Sequence, residues 1–284
     1  MDKVGIVKEI WRYPVKGMAG ERVEQCAISP NGLEGDRVWA LRDIARQEIQ
    51  SCKFRPELLM CTAVTRNGES GSHVDIILPD GVILGSNDVN IHQSLSDLVG
   101  YESSLVSLQP IDDIDFYRRY KADDHTWLEE LKATFTREPD EPLPDFSDFS
   151  KEASDYVTVP GTFFLVTPFH IITTATLNYM QKLLPKSDWD IHRFRPNIVI
   201  ETNSHDEGLV EQQWLGKSIK ISNSHIDCVA TAPRCGAITR EQNNLKFDKS
   251  MLRTIVKETD QNLGIYGNIS AQGILSVGDT VYMD

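Results

Sequence analysis

No stretch of this sequence approaches the roughly 20 apolar residues that a membrane-spanning helix requires. The longest apolar-leaning run, Thr162 to Leu177, is interrupted by Pro168, His170 and several threonines. Residues Met1 to Val7 carry no basic region followed by an apolar core, so no secretory signal is expected. Basic residues are also scarce: 29 Lys and Arg against 42 Asp and Glu give a formal net charge of −13. That balance argues against a general binder of nucleic acid or of an acidic membrane, both of which are held through positive charge. Cys26, Cys52, Cys61, Cys228 and Cys235 make an odd number at irregular spacing, so a disulfide framework is not expected and a reduced, cytoplasmic setting is.

Several familiar motifs are missing as well. There is no Gly-x-Ser-x-Gly elbow, no Walker loop and no Gly-x-Gly-x-x-Gly behind a strand, which leaves the common hydrolase and nucleotide-binding readings without support. No repeat recurs at solenoid spacing. The 284 residues suffice for one large domain or two modest ones.

The first hundred residues read as short strands punctuated by Gly, Pro and Asn: 3–12, 22–29, 36–42, 58–65 and 74–78, with a short helix over 91–100 that stops at Gly100. This rhythm predicts a β-barrel or sandwich rather than parallel βαβ units. The middle differs. Residues 112–151 are dense in acids, 126–135 have helical spacing, and 138–149 hold three prolines, predicting an acidic surface loop or, alternatively, a lid or a docking surface for a redox partner. Further on, 157–169 reads as strand-like, 175–184 as a helix ending before Pro185, and 248–257 as another helix. Strands are expected over 214–222, 226–233, 262–268 and 273–282.

One stretch stands out, Ile226 to Arg240. It begins as a strand, breaks at Pro233, and presents Arg234, Cys235 and Gly236 in succession. A thiol beside a guanidinium suits a nucleophile or a soft-metal ligand, because the positive neighbour favours the thiolate. A buried structural cysteine carries equal weight on this pattern alone. Cys228 and Cys235 lack CxxC spacing, and His225 with Cys228 would be half of a zinc set with no second pair. Lys16, Arg37, Lys53, Arg195 and Arg234 fall at strand ends or corners, where they could gather into an anion pocket working against the overall negative field. His170 sits in an apolar strand and reads as a hydrogen-bonded core histidine.

Six short motifs stand in a definite order: Tyr13-Pro-Val-Lys-Gly17, Gly35-Asp-Arg-Val-Trp39, Phe194-Arg-Pro-Asn-Ile198, Pro233-Arg-Cys235, Leu263-Gly-Ile-Tyr266 and Val277-Gly-Asp-Thr-Val281. The series resembles that of MOSC-domain proteins, in the arrangement of the mitochondrial amidoxime-reducing component and its bacterial relatives. The resemblance implies an α+β, predominantly β fold of two domains. Residues 1–108 would form the MOSC N-terminal β-barrel domain, 109–160 an acidic helical or loop insertion, and 161–284 a barrel-like MOSC domain with a few helices.

The resemblance further implies a molybdenum cofactor, with Cys235 the catalytic residue and the metal's thiolate ligand. Lys16, Arg37, Lys53, Thr167, Arg195, Asn197, Arg234 and Tyr266 would hold the molybdopterin. The activity implied is reduction of N-hydroxylated small molecules, supplied with electrons by a separate ferredoxin, flavoprotein or cytochrome b5-type protein, with no nucleic-acid or membrane partner. Two alternatives stay open: sulfur transfer or cofactor carriage through Cys235, and a metal-free pathway enzyme that re-uses the cleft. The chain departs from many relatives after the cysteine. Gly236 to Asn244 replaces a Thr-Val-Asp-Pro sequence, Glu241 is a candidate substitute for the Asp, and Gly236 predicts a looser loop.

Overall fold

The computed structural model describes residues 1–66, 73–123, 126–144 and 155–283. Seven strands close into a barrel: β1 (Asp2–Arg12), β2 (Phe169–Thr173), β3 (Ile198–Glu201), β4 (Ser218–Ile221), β5 (Ser224–Pro233), β6 (Asn262–Ala271) and β7 (Thr280–Met283). The order is β3-β2-β6-β5-β4-β7-β1, and β1 pairs back onto β3 to complete the circle. Every pairing is antiparallel except that of β2 with β3. The architecture is α+β and predominantly β.

Inward-facing side chains fill the barrel, among them Val7, Ile10, Phe169, Ile171, Ile198, Ile200, Ile226, Ile265 and Val281. In β1 the buried positions run Gly5, Val7 and then Ile10, the last step three residues rather than two. A bulge between Val7 and Glu9 in the pairing with β3 shifts the phase and keeps Glu9 out of the core. Cys228 also points into this core, where burial pushes its thiol up to about 12, so it is structural and not half of a zinc pair.

Outside the barrel, the described chain forms three small antiparallel sheets, built mostly from residues before β2. Gln25–Ser29 lies between Gly32–Leu33 and Gly273–Ser276, Trp39–Asp43 between Ser103–Ser107 and Glu48–Ile49, and Val74–Ile77 between Thr62–Thr65 and Ile83–Gly85. The apolar faces of the second and third meet helix α1 (Ile91–Val99), which stops at Gly100 in the left-handed conformation, while Cys26, Ile28, Leu33 and Leu275 of the first join the barrel core. A second helix, α2 (Thr126–Thr134), lies in the acidic region. Helix α3 (Thr174–Leu183) is capped by Thr173 Oγ1, which accepts from Thr176 N at 3.2 Å. Helix α4 (Lys249–Glu258) is capped by Asp248 Oδ1, which accepts from Ser250 N at 2.9 Å.

Two expected strands take other forms. The first half of 58–65 is a short 3₁₀ helix, Pro56–Met60, because Pro56 stands at its first turn. Residues 157–168 are irregular: Gly161 turns at φ +76° and the segment folds back so that Thr158 Oγ1 donates to Thr162 O at 2.8 Å. The acidic stretch 138–149 is described only to residue 144, and 145–149 lie outside the described residues.

Candidate functional site

The loops that leave β1, β5 and Glu48–Ile49, and those that enter Trp39–Asp43, β2 and β3, converge on one cavity of about 600 Å³. Lys16, Arg37, Lys53, Thr167, Arg195, Asn197, Arg234, Cys235 and Tyr266, which are scattered through the sequence, all stand on its wall. Its charge is one-sided. Lys16, Arg37, Lys53, Arg119, Arg193, Arg195 and Arg234 line it, with no Asp or Glu among the described lining residues. A chain of net charge −13 has therefore built a locally cationic chamber.

These cations are not equivalent. Arg193 donates to the carbonyls of Ile238, Arg240 and Lys246 at 3.1, 3.2 and 2.7 Å, so it ties the loop after Cys235 to the barrel. Arg234 donates to Leu263 O through Nε at 2.8 Å and through Nη2, and to Phe194 O at 3.3 Å, and it bonds to His170 Nε2. Its donors face protein, so it holds the backbone beside Cys235. Arg119 donates to Tyr156 O at 3.0 Å. The remaining four form the floor: Lys16, Arg37, Lys53 and Arg195.

Two of these floor residues flank Tyr13. The guanidinium carbons of Arg37 and Arg195 lie 5.3 and 4.4 Å from its ring centroid, and both residues adopt left-handed backbone, at φ +50° and +55°. That conformation is costly for a side chain larger than glycine and is maintained here by packing. Asp36 is buried and anchors the pair. It accepts from Tyr13 N at 2.6 Å, from Asn197 Nδ2 at 3.1 Å and from Arg37 Nη1. Asn197 is fully buried, and its Oδ1 accepts from His170 N at 3.3 Å and Arg37 at 3.4 Å. Asn197 is thus a fixed strut between β1, β2 and Arg37.

Lys16 is 5 % exposed and donates to Phe163 O at 2.8 Å. Burial, reinforced by Arg37 and Lys53, lowers its ammonium from 10.5 to about 7. A cation depressed by neighbouring cations is a place where an anion is wanted. Burial also pushes the Tyr13 and Tyr266 phenols upward, and it pushes His170 well below its usual range with help from Arg234. His170 is therefore a neutral imidazole. Its seat depends on Gly264, at φ +84°, where a Cβ would strike His170 Nε2 and lie 2.8 Å from Ile171 O.

Cys235 follows Pro233, the last residue of β5, and precedes a short 3₁₀ turn, Gly236–Thr239, in which Thr239 Oγ1 donates to Gly236 O at 2.8 Å. The expected looseness at Gly236 is overturned. Gly236 is buried, and a Cβ there would meet Thr136 Oγ1, with Thr136 Cβ at 3.1 Å and Thr134 O at 3.3 Å. Nor does Glu241 replace a pocket carboxylate, because it is exposed and off the cavity wall. Ala237 and Ile238 line the cavity from this loop instead.

The acidic region is equally a correction. Instead of lying apart on the surface, its described part makes one wall of the cavity through Leu131, Phe135 and Pro144. Arg137 donates to Arg234 O at 3.2 Å and Gln261 Oε1 at 2.9 Å, and Arg253 of α4 pairs with Glu141. Sequence reasoning also passed over Cys52, a second thiol on the wall, whose proton is held more tightly by burial. Among the described residues no three His, Cys, Asp or Glu side chains cluster as metal ligands.

The site is a deep chamber with a cationic floor, two partly exposed thiols (Cys52 and Cys235) and an apolar mouth. Family models match the MOSC N-terminal beta barrel domain over residues 4–92 and the MOSC domain over residues 161–282, and the chain belongs to the MOSC-domain proteins. It is 24% identical over 310 residues to mitochondrial amidoxime reducing component 2 of Bos taurus, covering 99% of this chain and 84% of that protein. Among solved structures, the YUAD protein of Bacillus subtilis matches 99% of this chain and 95% of its own at 7% identity and TM-score 0.44. YiiM of Geobacillus stearothermophilus matches 41% of this chain at 14% identity and TM-score 0.31, over about half of its own length (54%). No helix among the described residues is long and apolar enough to cross a membrane.

Proposed function

We propose that the protein is a molybdenum-cofactor-dependent oxidoreductase that reduces N-oxygenated small molecules, with Cys235 as the thiolate ligand of the metal. The observation that carries this reading is the pairing of Cys235 with the four-cation floor in one cavity. A metal with a single protein ligand must bring the rest of its ligands with it, and a phosphorylated pterin dithiolene does so as an anion. Lys16, Arg37, Lys53 and Arg195 fit the phosphate in charge and donor type, and a thiolate fits a soft metal. Thr167 and Tyr266 complete the proposed pterin contacts, Asn197 fixes Arg37, and Arg234 fixes the backbone of Cys235.

When bound, the cofactor supplies the two electrons that, with two protons, convert an N–OH compound to its N–H counterpart and water. The chain's own contributions are orientation and electrostatics. The floor neutralises the bound anion, and the walls exclude water from the reacting end. Lys16 Nζ, at about 7, can hold or release a proton near neutral pH. Electrons would come from a separate ferredoxin, flavoprotein or cytochrome b5-type donor. The relative's name, which specifies amidoxime reduction, supports this substrate class.

Sulfur transfer through Cys235 is the second reading, favoured by one observation: Cys52 faces the same cavity and could receive or return sulfur. Turnover separates them. Protein from a host that makes the cofactor, given a chemical reductant, should reduce benzamidoxime to benzamidine, and Cys235→Ser should not. Cofactor-loaded protein with no reductase activity towards benzamidoxime, acetamidoxime or hydroxylamine would favour the sulfur reading.

A further inference from the structure

The acidic region does more than cover the site. Phe135 is 6 % exposed and its ring faces the cavity region, with Lys53 Nζ 5.7 Å from its centroid. Leu131 lies one helical turn before it on the same wall. Phe163 and Phe164 line the cavity too, while Leu165 and Val166 stand at its rim 46 % and 51 % exposed. Two segments far apart in sequence thus supply apolar lining to a chamber whose floor is cationic.

The first of these segments is fastened to the cysteine loop itself. Thr136 occupies the space that a side chain at 236 would need, and Arg137 is bonded to the carbonyl of Arg234, the residue before Cys235. Arg253 of α4 holds the far side, donating to Thr136 O and pairing with Glu138 at 3.6 Å and with Glu141. The apolar wall therefore has a fixed relation to the thiol.

We propose that Leu131 and Phe135 determine specificity, selecting substrates that carry an aromatic or other bulky apolar body beside the reacting nitrogen. The inference rests on reading this cavity as the substrate site of an N–O reductase. The physical basis is that apolar lining rewards an apolar ligand body and gives nothing to a small polar one. Phe135 and Leu131 touch the body of the substrate, leaving the reacting N–O group to the cysteine side.

Direct binding tests this without turnover. The full-length, cofactor-loaded chain is titrated by calorimetry with benzamidoxime and with acetamidoxime, which share the N–OH group and differ in the body. Benzamidoxime should bind at least about tenfold tighter, the discrimination an apolar pocket gives for one or more added carbon groups. Phe135→Ala should collapse that ratio to about threefold or less, with acetamidoxime affinity within about twofold of the parent. Leu131→Ser, at a less buried position, provides the same readout if Phe135→Ala fails to fold, and Phe135→Leu should give an intermediate ratio. Equal affinities in the parent chain, or an unchanged ratio in a folded Phe135→Ala or Leu131→Ser, would overturn the proposal. Failure of the reductase reading alone would appear differently, as the same binding ratio with no turnover of either compound.

Discussion

Thr136 and Gly236 are a matched pair: the hydroxyl of one fills the volume that a Cβ on the other would need. The contact joins the acidic region to the loop of Cys235. It predicts that Gly236→Ala destabilises the fold by about 1–3 kcal/mol, the usual cost of forcing extra volume into a filled site. Thr136 is exposed at its other side, so Thr136→Ala alone should cost less than about 1 kcal/mol. The double variant should recover part of the loss, since the hydroxyl is gone. Urea unfolding of the four proteins measures the coupling, and additive effects would contradict it.

The charge of Lys16 should set a pH dependence on anion binding. Its ammonium is charged below about 7 and neutral above, because burial and then Arg37 and Lys53 depress it. Sulfate, whose own charge is constant across this range, should bind the cofactor-free chain more tightly at pH 6 than at pH 8. Lys16→Met should flatten that slope. The unfolded chain keeps the lysine proton up to 10.5, whereas the folded chain releases it near 7. Between those values the unfolded state holds more protons, so stability from this group rises with pH. Below about 7 the folded chain carries a buried ammonium, and Lys16→Met should therefore raise the thermal midpoint of the cofactor-free protein while weakening its affinity for anions. A midpoint lowered at pH 6 would contradict this account of Lys16.

Gly264 should be intolerant of substitution. It has positive φ, and a Cβ there would lie 2.8 Å from Ile171 O and collide with His170. Backbone strain and overpacking together predict a loss of roughly 2–4 kcal/mol for Gly264→Ala. Denaturant midpoints measure it, and a change below about 1 kcal/mol would show that β2 can move away from β6.

The cationic floor was legible in the sequence because its residues sit in short motifs at strand ends, and a closing barrel brings strand ends together. Lys16, Arg37, Arg195 and Cys235 met as those motifs implied. The helix boundaries near Thr173, Asp248 and Gly100 followed from capping chemistry, which is local. The role of Phe135 was not legible. Helical spacing over 126–135 gave it an apolar face, but the acids around it made the whole region read as surface, and the clamp by Arg137 and Arg253 that seats it on the cavity wall joins residues far apart in sequence. Residues 157–168 misled for a similar reason: their Val, Phe and Thr have strand composition, but they line a cavity rather than pair in a ladder. Gly236 looked like slack because a sequence cannot reveal that Thr136, a hundred positions away, presses against it.

Replacing Arg195 should separate cofactor retention from folding. Its guanidinium stacks 4.4 Å from the Tyr13 ring centroid and donates to Met18 O, so Arg195→Lys keeps a charge but loses the planar fork. Sulfate affinity of the cofactor-free chain should fall roughly tenfold in Arg195→Met, about the worth of one charged hydrogen bond. It should fall by less in Arg195→Lys. Equal affinities in all three proteins would remove Arg195 from the floor.

Molybdenum content tests the central claim most directly. The full chain, purified from a host able to make the cofactor, should carry about one molybdenum per chain with its molybdopterin, since Cys235 offers one thiolate in one cavity. Cys235→Ala should lose the metal while remaining folded. Metal-free protein from that host, with Lys16, Arg37 and Arg195 intact, would contradict the reading of Cys235 as a molybdenum ligand.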